Sequence, residues 1–399
     1  MTPTEGAAAA ILAVVYAGLA LGFLPGVLMN RAAIAVSGAA LLVAIGLLDL
    51  RQAWDALDAV TLVFLFGVMV LNAQLAQSGF FAAVLARLVR IATSPFAFLV
   101  ALVFGAGALS AVFLNDTMAI MLTPLVVLAA RAYRVRPLPY LLALAAATNI
   151  GSVATVNGNP QNIIVGSLSG ISYGHFAAEL VPVAVIGLVI EIAWLWWLFP
   201  EVRSRQPVAH GRPFRYRVHR WLAWKGAIAA AGMLAAFVAG APYAEAALVT
   251  AGVLLISRRV RSERLLARVD WQLLLLFGGL FIVTRGVQEL GILDQVEGAA
   301  RGTPAFVLFT AGLSNVISNV PAVLLLAPLV PAGDDTRWLL LAAVSTLAGN
   351  LTLLGSVANL IVAEAARREG EHLGFWAHLK FGAPLTLATT AIAAAWLLR

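Results

Sequence analysis

Asn115, Asp116 and Thr117 stand together in an otherwise apolar stretch, and Ser318-Asn319 does the same roughly two hundred residues later. Such side chains suit binding more than bond breaking. Amides, hydroxyls and one carboxylate offer oxygens to a small cation and N–H groups to an anion. A second polar stretch follows each. Thr155-Val156-Asn157-Gly158-Asn159-Pro160-Gln161-Asn162-Ile163-Ile164-Val165 returns as Thr352-Leu353-Leu354-Gly355-Ser356-Val357-Ala358-Asn359-Leu360-Ile361-Val362, identical at five of eleven positions. Leu114 to Val126, with Pro124, returns as Ser318 to Val330, with Pro328, identical at five of thirteen. Polar Asn and Gly placed twice inside apolar helices are the pattern of a transporter whose site is built from interrupted helices.

Those residues need a membrane scaffold, and composition supplies one. The 399 residues are 62% hydrophobic and only 11% charged, where a soluble chain carries about 25% charge. Apolar runs long enough to cross a ~30 Å hydrocarbon core recur from end to end. Without cysteine there are no disulfides, thiolate chemistry or iron–sulfur ligation. The first run, Ala7 to Met29, lacks a preceding basic segment and is long for a signal peptide, so it reads as a retained span.

The fold expected is an all-α polytopic membrane protein of two inverted repeats, each with five transmembrane helices and one re-entrant hairpin, with interrupted helices at the centre. The first repeat covers 1–200: spans near 7–29, 32–50 and 59–77, an interfacial stretch Phe80 to Ile91, a hairpin over about 95–131, an interrupted helix over about 138–171, and a span over 175–199. In the hairpin, limbs 95–114 and 118–130 meet at Asn115-Asp116-Thr117, and the second limb is too short to cross. A cytoplasmic linker covers 201–220. The second repeat, 221–399, has spans 221–239, 244–257 and 271–285, an interfacial stretch 286–301, a hairpin over about 303–332, an interrupted helix over about 337–366 and a span over 376–398. Phe66-Gly67 finds its counterpart in Phe277-Gly278. Five spans per repeat is an odd number, which inverts the second repeat relative to the first.

The net charge of +7 comes from basic clusters in short loops, at Arg131/Arg134/Arg136, Arg203 to Lys225 and Arg258 to Arg268. Placing both termini outside puts 21 of the 26 Lys and Arg on the cytoplasmic side, leaving Arg51, Arg285, Arg301, Arg337 and Arg399 at the outer boundary. The basic balance therefore reads as membrane topology and not as nucleic-acid binding.

Broken helices expose N–H groups at one half-helix and C=O groups at the other, favouring anions and small cations respectively. At the tips, Asp116 or Thr117 can cap the following helix, and Asn319 with Pro321 resembles a capped helix start. Capping alone would explain one tip, but the recurrence of both tips and both breaks favours a site. Asp116 is the one acid expected near mid-membrane within it, as a Na⁺ ligand or proton carrier; the bland alternative is a neutral or cap-bonded aspartate. Pro124 and Pro328 read as kinks, Glu191 and Glu364 as residues facing the interface, and Arg285 as a snorkelling side chain. Trp194, Trp196, Trp197, Trp221 and Trp224 read as an interfacial belt. The five histidines fall mostly in loops or at helix ends.

Asn149-Ile150-Gly151 … Ala154-Thr155 … Gly158-Asn159-Pro160-Gln161-Asn162-Ile163 resembles the signature of the ion transporter superfamily, as do Ser318-Asn319-Val320-Pro321 and Gly349-Asn350-Leu351-Thr352 … Gly355-Ser356-Val357-Ala358-Asn359. The nearest resemblance is to the ArsB/NhaD-like permeases: arsenite/antimonite permeases, sodium/proton antiporters and the related anion-permease group. It covers the chain from about Val60 onward. It implies that Asn115, Asp116, Thr117, Ser318 and Asn319 line the site with the two breaks, which contribute Thr155, Asn157, Gly158, Asn159 and Asn162, then Thr352, Gly355, Ser356 and Asn359. Dicarboxylate/sodium symporters of the superfamily carry Ser-Asn-Thr at both tips. Asn115-Asp116-Thr117 departs from that pattern, and its extra negative charge weighs against a di- or tricarboxylate.

The expected function is secondary active transport of a small anion or oxyacid, inorganic or organic, arsenite and antimonite included, across the bacterial inner membrane. Coupling is to Na⁺ or H⁺ by alternating access, with both termini periplasmic. The alternative is a Na⁺/H⁺ antiporter in which Asp116 itself exchanges the ions. A channel fits twin hairpins poorly. An intramembrane enzyme fits worse, for no H-E-x-x-H, aspartyl pair or Ser–His arrangement is evident, and no Walker motif marks ATP as the energy source. No resident cofactor is expected beyond Na⁺ or H⁺. Expected partners are the bilayer, a small anion or metalloid, a coupling cation and, as an option left open, a second copy in a homodimer.

Overall fold

In a computed structural model of the chain, residues 2–205, 217–292, 298 and 302–399 are described. Of the expected linker, 206–216 lies outside the described residues, and so do 293–297 and 299–301 of the expected interfacial stretch, Arg301 included. Among the described residues the ordered structure is helical, and helix starts follow the polar residues that punctuate the apolar runs. Asn30, Asp58, Ser94, Asn159, Ser172, Asp270 and Asp334 each cap a first turn with a side-chain oxygen.

The first half runs α1 (Pro3–Leu21), α2 (Arg31–Ala44), α3 (Leu50–Asp55), α4 (Ala59–Ser78), α5 (Phe80–Ile91), α6 (Pro95–Val112), α7 (Asn115–Ala132), α8 (Pro137–Ser152), α9 (Pro160–Ser169) and α10 (Tyr173–Leu198). The second runs α11 (Arg220–Val238), α12 (Tyr243–Leu255), α13 (Ser262–Leu266), α14 (Trp271–Glu289), α15 (Thr303–Ile317), α16 (Asn319–Leu326), α17 (Asp335–Ala348), α18 (Val357–Arg368) and α19 (Phe375–Leu397). Six of these, α1, α4, α6, α10, α11 and α14, are long and apolar enough to cross a membrane.

The two halves interlock. α4 packs on α12 while α14 packs on α2, α6 lies along α8 as α15 lies along α17, and α10 meets α19. Glycine permits the crossings. A Cβ on Gly67 would stand 2.5 Å from the Ala247 carbonyl oxygen, and one on Gly279 2.7 Å from the Ala35 carbonyl carbon. The counterpart of Gly67 is thus Gly279; Gly278, expected from the sequence, has only a distant leucine methyl near it.

α10, with 26 residues, is about 39 Å long, so its ends lie at opposite faces. Past its C-terminal end, Glu201 pairs with Arg136 at 3.4 Å beside the base of the α6–α7 hairpin. At its N-terminal end, His175 lies 3.7 Å from Asp335 of α17, whose Arg337 stacks over Phe306 at the base of the α15–α16 hairpin. The hairpins therefore enter from opposite faces.

Several expected boundaries shift. Asn115-Asp116-Thr117 is not a connector but the first turn of α7, which makes that limb 18 residues instead of about thirteen. Neither Asp116 nor Thr117 caps it: Leu114 holds the cap position, and the Asn115 side chain accepts from the Asp116 N–H at 2.9 Å. Likewise Asn319 is the first residue of α16 and not its cap, because Ser318 takes that position with φ 78° and no capping bond.

Candidate functional site

Each interrupted helix leaves carbonyls without their next-turn partners, and one asparagine per half donates to two or more of them. Asn162 Nδ2 donates to the carbonyls of Ser152 (3.1 Å) and Thr155 (2.9 Å). Asn359 Nδ2 donates to those of Gly349 (2.8 Å) and Thr352 (3.1 Å). The chain must fold tightly to bring these together. A side chain at Gly158 would collide with the Ser152 carbonyl, and a Cβ at Gly355 would sit 2.5 Å from Asn315 Oδ1.

The breaks are also bonded to each other. Ser356 Oγ donates to Asn149 Oδ1 at 3.0 Å, and Asn159 Nδ2 donates to Thr346 Oγ1 at 3.2 Å. Asn149 Nδ2 reaches Asn350 Oδ1 (2.8 Å) and Asn359 Oδ1 (3.1 Å), while Gln161 Nε2 reaches Thr346 Oγ1 (3.0 Å). Each half thus holds the other's helix start in a reciprocal polar seam at the core of the molecule.

Both hairpin tips join this seam. The Asn115 N–H donates to the Gly158 carbonyl (3.0 Å) and its Nδ2 to Asn149 Oδ1 (3.2 Å). Oriented to satisfy its neighbours, the Asn319 amide donates to the carbonyls of Ser345 and Gly355, each at 3.1 Å, and accepts from Gln161 Nε2 at 3.2 Å.

A cavity of about 50 Å³ opens between the tips, lined on its polar side by Arg31, Asn115, Asp116, Gln161, Ser318, Asn319 and Ser356, and walled by Leu19, Leu273 and Leu276. The starts of α7, α9, α16 and α18 meet there, so the positive ends of four helices share one space. The Asp116 carboxylate has no hydrogen-bond or ion-pair partner among the described residues. Nor do those residues hold a cluster of three or more His, Asp or Glu fit for a divalent metal.

Other expected site residues face elsewhere. Thr117 accepts a bond from Asn72 of α4 at 3.3 Å. The Thr155 hydroxyl donates to the Ala111 carbonyl and Asn157 Nδ2 to that of Val112 at 2.5 Å, so these two satisfy the end of α6. Thr352 Oγ1 lies 3.5 Å from Asn315 Oδ1. Gly158 and Asn159, Gly355 and Asn162, and Asn359 build the breaks, and only Ser356 among the break residues expected to bind reaches the cavity wall.

Sequence reasoning passed over Arg31, Thr346, Asn72 and His378. Arg31 sits at the end of a loop where a basic residue attracts no notice, and Thr346 lies in an apolar helix without a marker. His378 is fully buried in α19, its Nε2 3.1 Å from the Asn350 carbonyl and 3.3 Å from Asn359 Nδ2. Glu191 is likewise fully buried, not interfacial, with both carboxylate oxygens unpartnered. Glu364 is ion-paired with Arg367 and Arg368, and Arg285 with Glu289 at 2.7 Å.

Known proteins resemble this chain in sequence, and one solved structure resembles it in fold. The silicon efflux transporter LSI3 of Oryza sativa subsp. japonica is 31% identical over 93% of this chain and 92% of its own length. An uncharacterised transporter of Mycobacterium tuberculosis (strain ATCC 25618 / H37Rv) is 30% identical over 92% of this chain and 93% of its own. Among solved structures, the Alcanivorax borkumensis YdaH transporter, noted for an unusual topology, superposes with a TM-score of 0.58 at 18% identity, covering 85% of this chain and 84% of that one. The model of the CitMHS (citrate transporter) family matches residues 10–335, and with it the chain belongs to that family of membrane transporters.

Proposed function

We propose that the chain is a secondary active transporter of a small oxyacid or its anion, coupled to Na⁺ or H⁺ by alternating access. The observation that carries this reading is the cavity shared by the two hairpin tips. It joins helix N-termini and Arg31, which favour an anion, with the unpartnered Asp116, which favours a cation or proton. Its size supports a small substrate. About 50 Å³ holds three or four water-sized groups, which suits a compact acid with three or four oxygens better than a tricarboxylate. That a relative is named as a silicon efflux transporter agrees with such a substrate.

The bacterial inner membrane is the proposed location, with both termini periplasmic. Arg131, Arg134, Arg136, Arg203 and Arg205 cluster around the α6–α7 hairpin base, while Arg285 and Arg337 belong to the opposite face, a bias that supports the first face as cytoplasmic.

Purified protein in liposomes tests the transport reading. Uptake of silicic or arsenious acid driven by an imposed Na⁺ or pH gradient, with little uptake of citrate, is expected. Gradient-driven citrate uptake with neither acid moved would overturn it. A Na⁺/H⁺ antiporter is the second reading, favoured by the one carboxylate on the cavity wall; Na⁺-driven proton movement without any oxyacid would select it.

A further inference from the structure

Besides Asp116, the cavity wall has one other charged residue, Arg31, and the two are not paired. Arg31 is the first residue of α2, and its placement is fixed. Asn30 caps that helix through a 2.9 Å bond from the Ala33 N–H and ties it to α14 through Gln272 Oε1 at 3.1 Å. The guanidinium lies over Gly22 at the end of α1, its Nε and Nη2 each 3.7 Å from where a Cβ would stand. It makes no hydrogen bond or ion pair with any described residue. Its five N–H donors, half-buried at the cavity wall, are open to a group that enters the cavity. The group that answers them is an oxyanion presenting two oxygens to the guanidinium fork.

We infer that Arg31 is the residue that recognises the deprotonated form of the transported oxyacid, an inference that rests on the transport reading above. An oxyanion on Arg31 and a proton or Na⁺ on Asp116 leave the loaded cavity with no net charge. Arg31 is also carried by α2, outside the hairpins and the broken helices. Substrate held between Arg31 and the tips therefore ties α2 to them, and its release unties them.

The test uses the purified full-length protein and two weak oxyacids, silicic acid and arsenious acid, with binding read by thermal shift. Arginine stays protonated throughout while Asp116 in the same cavity can take up a proton, so the ligand's ionisation is read as the part of the pH trend that persists in Asp116→Asn. In wild type, affinity for at least one acid should rise as pH passes through that acid's own pKa. Arg31→Gln should bind about tenfold more weakly above that pH and lose the trend, and Arg31→Lys, which keeps the charge but not the fork, should fall between. If Arg31→Gln is not folded by size-exclusion chromatography, Arg31→Lys alone decides. Wild-type affinity and trend in the folded variants would overturn the inference and leave the transport reading standing. No stabilisation of wild type by either acid at any pH would overturn both.

Discussion

Asn162 and Asn359 make the same pair of hydrogen bonds in the two halves, each amide donating to the carbonyls ten and seven residues before it. Spacing of this kind closes a loop of the broken helix onto the helix that restarts. It does so twice, and the two loops face each other across bonds from Ser356 to Asn149 and from Asn159 to Thr346. The cavity between the tips is therefore framed by side chains bonded mostly to one another, while Arg31 and Asp116 on its wall have no partner among the described residues.

Asn359→Leu should leave the Gly349 carbonyl without a donor and Asn162→Leu that of Val153, while the carbonyls of Thr352, Thr155 and Ser152 keep other donors. A loss of about 1–3 kcal/mol is expected for each, because the desolvation cost of the orphaned groups is not recovered. Thermal unfolding of the detergent-solubilised variants measures it. Equal loss in the two halves is the signature of the shared geometry, and loss at one site only would show that the equivalence is not energetic.

The repeat, the hairpins and the breaks were legible because each needs Gly, Pro or Asn at fixed offsets in an apolar background. Roles within the site were less so. Thr155 and Asn157 looked like ligands, yet they bind the carbonyls that end α6, for an orphaned carbonyl and a bound ion ask for the same side chains. Arg31 went unread because its neighbours in the cavity come from seven other helices, a juxtaposition that spacing along the chain does not encode. The one-residue error at Gly278 has a similar cause: two glycines adjoin, and only the crossing with α2 distinguishes them.

Close backbone approach makes a second prediction. A Cβ on Gly151 would collide with the Gly107 backbone where α8 crosses α6, and backbone has no rotamer with which to retreat. Gly151→Val should cost roughly 1–3 kcal/mol by overpacking and lower the yield of monodisperse protein. Gly232→Val, on a helix where nothing lies within 4 Å of the added carbon, is the matched control and should be close to neutral. Similar behaviour of the two variants would refute the packing argument.

Orientation is open to cysteine labelling, because the chain has no native cysteine to confuse it. Arg205 and Ala332 are both exposed, the first near the α6–α7 hairpin base and the second beyond the α15–α16 hairpin. With the proposed topology, Ala332→Cys reacts with an impermeant maleimide in intact spheroplasts and Arg205→Cys reacts only after lysis. The reverse pattern would place the termini in the cytoplasm.

Asp116→Asn separates coupling from binding. The substitution keeps size and the first turn of α7, since Asn115 and not Asp116 bonds the backbone there. It removes the cavity's negative charge and its capacity to take up a proton or hold Na⁺. Concentrative uptake driven by the ion gradient should fall by at least about tenfold, a coupling loss of about 1.4 kcal/mol or more, while substrate exchange without a gradient persists. Measuring both in the same liposomes is decisive. If gradient-driven uptake and its Na⁺ or pH dependence match wild type, the coupling ion is held elsewhere, and the buried carboxyl of Glu191 becomes the next group to replace.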